Sequence, residues 1–198
     1  MTKASSILSA KRLADDISAE LNELAIQTDN RSRVAAACYF AALDHHQGIT
    51  VLFDEGIPSP ALALLRPLYE SFVRGSWLHG CATDAELQHF LDGKEPPKIS
   101  ELLRRLEETD EFDSKILSSA HGKNWAVLCS LTHTGIQQVL MCVSEDAIER
   151  NCSTDLIDEA MGYAGVYALM AGIGVARLTN NNNLAERLLT IAKEFVKA

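Results

Sequence analysis

Arg66, Glu70 and Arg74 stand four residues apart in the segment 58–80, PSPALALLRPLYESFVRGSWLHG, whose other side chains are mostly apolar. Residues at i and i+4 neighbour one another on a helix face, so both guanidiniums can reach the carboxylate between them. A carboxylate that engages part of an arginine fixes its planar fork and leaves the other N–H groups for a phosphate or carboxylate. Pro67 has no N–H to give the carbonyl of Ala63 and bends the helix there. That carbonyl is expected to be met by Arg66 or by a neighbouring helix. The alternative for the three charges is a structural ion-pair ladder.

His133 is the second candidate, in the sequence SLTHTG at 130–135. Thr132, Thr134 and Gly135 suit the cap of a helix starting at Ile136, and a helix start with two hydroxyls and an imidazole fits an anion or a proton transfer. His45 and His46 follow Asp44 in an apolar stretch, where adjacent residues point about 100° apart on a helix and cannot readily share a ligand. His46 shares a face with Tyr39, Leu43, Thr50 and Phe53 and is expected to be a hydrogen-bonded core histidine. Glu86 and His89 form an ExxH, the spacing of di-iron carboxylate bundles. Such a site needs two copies and two further glutamates on long helices, so no metal and no cofactor are expected.

Apolar positions recur at helical spacing throughout, without the sustained alternation of a half-buried strand. The expected fold is all-α: a single-domain bundle, residues 1–198, of about four long helices with short flanking helices. The helices are placed at 5–27, 31–54, 60–80, 84–92, 99–108, 112–121, 124–131, 135–143, 153–179 and 183–197. The first three and the one from Ser153 build the bundle. Ser59 and Pro60 serve as N-cap and first residue of the third helix, bent at Pro67. Thr83 with Glu86 fits a capping box, and the run Asn180–Asn183 suits a C-cap followed by an N-cap. Ala160, Ala164, Ala168, Gly172 and Ala176 form an i+4 ridge of small residues that lets another helix approach closely, either within the chain or from a second copy in a homodimer.

At 198 residues and 47% hydrophobic, the chain can bury a sizeable core. The net charge of −9 lies in acidic zones around 15–29, 101–113 and 145–159 with no compensating basic cluster, which argues against a nonspecific hold on nucleic acid. Five cysteines, none in a CxxC pair, fit a reduced, cytoplasmic protein. The amino terminus lacks the apolar run of a signal peptide. The uncharged stretch 160–176 is short and rich in Gly and Ala, and is read as a buried helix, not a membrane span.

Arg74 and His79, with four residues between, resemble the ribonuclease motif of the HEPN superfamily of small helical proteins. Residues five apart on a helix point about 140° apart, so His79 joins Arg74 only if the helix ends near Gly75 or Gly80. Leu64–Leu78 together with THTG at 132–135 also resembles bacterial helical proteins of unknown function that carry Arg-Pro-x-x-x-Glu (Arg66, Pro67, Glu70) and a later His-x-Gly (His133, Gly135). The resemblance implies an all-α intracellular protein distantly like HEPN domains, which often serve in defence or toxin–antitoxin systems. By that likeness Arg74 would stabilise a phosphate and a histidine would assist 2′-hydroxyl attack without metal. The polar residue that customarily follows the HEPN arginine is replaced by Gly75.

The favoured expectation is a noncatalytic binding or interaction module, homodimeric, with Arg66, Glu70, Arg74, Thr132, His133 and Thr134 around a small anionic ligand. A metal-independent ribonuclease using Arg74 with His79 or His133, and an oligomeric scaffold without a ligand site, are the alternatives.

Overall fold

The computed structural model describes residues 3–22, 24–26, 29–109, 112, 115–144, 146–149 and 152–197. In chain order they form α1 (Lys3–Leu21), α2 (Asn30–Asp54), α3 (Pro58–Ala63), α4 (Leu65–Gly80), α5 (Asp84–Leu91), α6 (Ile99–Leu106), α7 (Ile116–Thr132), α8 (Ile136–Leu140), α9 (Thr154–Leu178) and α10 (Asn182–Lys197). The fold is all-α. Among the described residues there is no strand, and Val143 and Ile148 form one isolated antiparallel bridge.

The long helices α1, α2, α4 and α9 build the bundle as expected. α9 packs against α1, α2, α4 and α10, and α2 packs against α1, α3, α4 and α9. By length and composition α9 could cross a membrane, but its most apolar window is 67% buried by these neighbours. All five small residues of its ridge are buried inside the chain, and a Cβ on Gly172 would meet Leu188 of α10 and Ile17 of α1. The ridge is therefore an intrachain seam, and that face is closed to a second copy. Tyr39 of α2 lies against two glycines on different helices: an added Cβ would come within 2.9 Å of its ring at Gly75 of α4 and closer still at Gly174 of α9. Gly75 thus stands where the packing of α2 on α4 leaves no room for any side chain.

Several boundaries differ from the sequence expectation. α1 ends at Leu21 and not at 27; Leu24 and Ile26 pack on the core from non-helical backbone. Positions 23 and 27 of the expected first helix, and 113 and 114 of the expected sixth, lie outside the described residues. α3 starts at Pro58 with Ile57 as N-cap, because Pro58 takes the first helical turn, and the Ser59 hydroxyl lies 3.8 Å from Cys142 Sγ instead of capping. The expected helices 112–121 and 124–131 are one helix, α7, which runs through Gly122. A helical glycine costs about 1 kcal/mol against alanine, whereas burying each of Leu117, Leu128 and Leu131 returns about 1.5–3 kcal/mol. Glu107, the C-cap of α6, assists: its Oε1 accepts from Ser118 N at 2.8 Å and its other oxygen from the Ser118 hydroxyl, at the first turn of α7. α8 stops at Leu140 because the chain folds back, with Glu149 N donating to Cys142 O at 3.1 Å and Ser144 N to Ala147 O at 2.9 Å. The capping box at Thr83 and Glu86 is present, and Asn180 (φ 52°) and Asn181 divide the turn between α9 and α10 as C-terminal and N-terminal residues, Asn181 Oδ1 accepting from Leu184 N.

Candidate functional site

Pro67 splits the expected third helix into α3 and α4, with the interruption at Leu64. Leu64 N still bonds the carbonyls of Pro60 and Ala61, and Leu68 N bonds Leu64 O at 3.0 Å, so the helix restarts at once. The Ala63 carbonyl that Pro67 cannot serve faces α7, where the Thr132 hydroxyl shares its one proton between Ala63 O at 3.3 Å and Leu128 O at 2.8 Å. The neighbouring helix, and not Arg66, meets the freed acceptor.

Arg66 is consequently available to side chains. Its Nε donates to Glu70 Oε1 at 2.7 Å, and Arg74 Nη2 donates to Glu70 Oε2 at 2.8 Å, so one carboxylate serves two guanidiniums. Arg66 Nη1 lies 2.5 Å from His133 Nε2 and 3.6 Å from Cys129 Sγ. Arginine only donates, so His133 Nε2 is the acceptor and its ring proton sits on Nδ1. The Arg66 Cζ stands 4.6 Å from the centroid of Trp125, a cation–π contact. The three charged side chains are mostly enclosed, with exposures of 22% for Arg66, 14% for Glu70 and 30% for Arg74. Arg74 Nε is buried and has no partner among the described residues.

Two depressions share Arg66, Glu70 and Arg74 as a common wall. One, of about 420 Å³, continues over Glu95–Ser100, His121 and Trp125. The other, of about 370 Å³, is completed by His45, Pro67, Ser71, Thr132 and His133. Behind the first, Tyr69 OH lies 3.1 Å from His121 Nδ1, and Tyr69 packs edge-on against Tyr167 with ring centroids 5.1 Å apart. Burial holds His121 and His45 below the ordinary histidine range, with Asp44 partly opposing the shift at His45. The same burial raises Tyr69, with further upward pressure from Tyr167, Glu107 and Glu70.

The expected residues divide unevenly. Arg66, Glu70, Arg74 and His133 come together. Thr132 lines the second depression, but its hydroxyl is engaged by backbone carbonyls, and Thr134 is an exposed residue at φ 54°. The expected cradle of backbone donors after His133 does not form: Gly135 N bonds Ser130 O, Gln137 N bonds the Ser130 hydroxyl, and Gln138 N and Val139 N both bond Gly135 O. His79 lines neither depression; its charged neighbours are Arg177, Arg31 and Asp29, and burial, reinforced by the two arginines, lowers its pKa. His46 is a core residue as expected, but its Nε2 has no hydrogen-bond partner among the described residues. Glu86 of the ExxH is occupied by Arg105 and Thr83, and no group of three or more metal-ligating side chains occurs among the described residues.

Sequence reasoning missed His121, Trp125 and Cys129. With His133 they fall at i, i+4, i+8 and i+12, the same period as the arginine ladder they face. The signal was hidden by placing a helix boundary at Gly122.

No curated protein and no solved structure matches the chain. A family model, described as a family of unknown function (DUF6988), matches residues 39–198, which include every residue of both depressions. The chain belongs to that family, DUF6988.

Proposed function

We propose that the protein binds a small anionic ligand at the Arg66–Glu70–Arg74 ladder as a noncatalytic binding module. The observation that carries this reading is the sharing of Glu70 between two guanidiniums. One carboxylate neutralises one cation, so a largely enclosed positive charge is left over in a chain of net charge −9. An excess cation beside a depression is stabilised by an anion entering it. Glu70 and Trp125 orient Arg66, and His133 closes one edge. The cytoplasmic setting belongs to the same proposal and rests on five free cysteines.

Thermal melts in phosphate, sulfate, acetate and nucleotides test the reading. Binding should raise Tm in wild type and leave a folded Arg66→Ala variant unmoved. Equal shifts in both would remove Arg66 from the site, and no shift with any anion would make the charges structural.

A HEPN-like, metal-independent ribonuclease is the second reading. It is favoured by one observation: Arg74 and His133 line the same depression, so a phosphate-binding cation and an imidazole adjoin one space. A basic groove assembled from two copies would supply the RNA surface that the acidic chain lacks. Cleavage of single-stranded RNA in the presence of a chelator, lost in His133→Ala, would support it; intact RNA would remove it. The scaffold reading loses its main argument, since the small-residue ridge is enclosed within the chain.

A further inference from the structure

We infer that the protein has a second binding site, between α1 and α2, for a small amphipathic amine with an ammonium group at one end, a hydroxyl at the other and an apolar ring between. The site is a depression of about 300 Å³, at the lower end of the roughly 300–1,000 Å³ of small-molecule pockets. It shares no lining residue with the depressions at the arginine ladder, so the inference stands apart from the anion-binding reading. Lys11 of α1 is tied to Asp54 of α2 at 2.6 Å. Further along, Ala14 and Ser18 are small and one turn apart on α1. They leave room opposite Phe40, Leu43, Asp44 and Gln47, which share one face of α2 at i, i+3, i+4 and i+7.

Three features of the lining set the chemistry. Ile17, Leu21, Phe40 and Leu43 form an apolar wall, of which Phe40 is 38% exposed. Asp44 is the one charged residue of the lining among the described residues, so the depression attracts a cation and repels an anion. His46 also lines it, with 1% of its surface exposed and an Nε2 that has no hydrogen-bond partner among the described residues. An unpaired buried polar atom destabilises the fold, and a ligand group that pairs it removes the penalty. Burial keeps this imidazole neutral, its pKa held down to about 4, so the ring does not repel a cation. A hydroxyl both donates and accepts, and can pair the neutral ring in either tautomer. Asp44 and His46 are two residues apart and point about 160° apart around the helix, so no single ligand group meets both. Water would pair the imidazole and leave the apolar wall wet; a hydrocarbon would cover the wall and leave the imidazole unpaired. An apolar ring with its ammonium toward Asp44 and its hydroxyl toward His46 meets all three features.

Isothermal titration of the full chain with tyramine, phenethylamine, tyrosol and 4-hydroxyphenylacetate tests this, because each of the last three changes one end of the first. Tyramine should bind about two- to tenfold more tightly than phenethylamine, the worth of one hydrogen bond. It should bind about two- to fivefold more tightly than tyrosol, the worth of an ion pair at a solvent-facing rim. 4-Hydroxyphenylacetate, whose carboxylate meets Asp44, should bind most weakly. Asp44→Asn should narrow the gap between tyramine and tyrosol, and His46→Leu the gap between tyramine and phenethylamine, with a circular-dichroism melt as the check that each variant is folded. The ranking in wild type decides the matter even if a variant does not fold. If any of the other three compounds binds as tightly as tyramine, if none of the four binds, or if the gaps persist in the folded variants, the inference falls.

Discussion

The Thr132 hydroxyl stands 3.3 Å from the Ala63 carbonyl, the acceptor that Pro67 leaves without a helical donor. A defect in one helix is thereby approached by the last residue of another, and the imidazole sits on the adjoining residue. His133, the next residue, lies against Arg66, which is next to Pro67. Pro67 and Thr132 both line the second depression, beside the imidazole and the arginine ladder.

Thr132→Val keeps the shape and removes the hydroxyl. It should cost about 1 kcal/mol, or a Tm lower by about 2–4 °C for a domain of this size. In a Pro67→Ala background the Ala63 carbonyl regains an N–H donor, so the same valine substitution should cost less. A thermal-melt double-mutant cycle reads the coupling, and strictly additive effects would contradict the role given to Thr132.

Glu70→Gln removes the charge that two guanidiniums share. The fold should lose about 1–3 kcal/mol, and added sulfate should recover more stability in the variant than in wild type, because the uncompensated cations then draw an anion in. Melting both proteins across a sulfate series, with chloride matched for ionic strength, checks it. Equal slopes would mean that sulfate does not reach the arginines.

Tyr39 leaves no space at Gly174 or Gly75. Gly174→Ala should destabilise by about 1–3 kcal/mol, since the ring is buried and hemmed by two helices. Gly162 is the control on the same helix, with nothing within 4 Å of an added Cβ. There alanine should stabilise by about 0.5–1 kcal/mol. Urea midpoints for the two variants should move in opposite directions.

Burial pushes His46 down to about 4 from an ordinary 6.5. The unfolded chain therefore takes up this proton near pH 6.5 while the folded one resists it, so the unfolded state binds more protons between the two values. Stability is full above the upper value and falls as pH drops through the window, by about 3 kcal/mol for the whole shift. Burial lowers His45, His79 and His121 as well, which adds loss of the same sign at the upper edge of the window. His46→Leu should flatten the dependence of the urea midpoint on pH from about pH 7 to about pH 4.5; an unchanged slope would assign it to other groups.

The helices and the arginine ladder were legible from local rules. The 3.6-residue period marks apolar faces wherever it occurs, so the all-α class and the long helices of the bundle are set by spacing alone. The stacking of Arg66, Glu70 and Arg74 is likewise a property of one helix, as are the capping box at Thr83 and the loss of a donor to Ala63 at Pro67. What local rules leave open is any choice whose energy comes from another segment. Gly122 carries a small helix penalty that reads as a boundary in sequence, and burial of three leucines against distant helices overrides it. Only that continuity aligns His121, Trp125, Cys129 and His133 opposite the arginines. The small-residue ridge of α9 could have faced another copy or its own chain, and α1 and α10 occupy it. The donors after His133 could have met an anion, and Ser130 and Gly135 hold them instead. Each outcome depends on which surfaces, distant in sequence, exclude water from one another, and tertiary structure alone decides that.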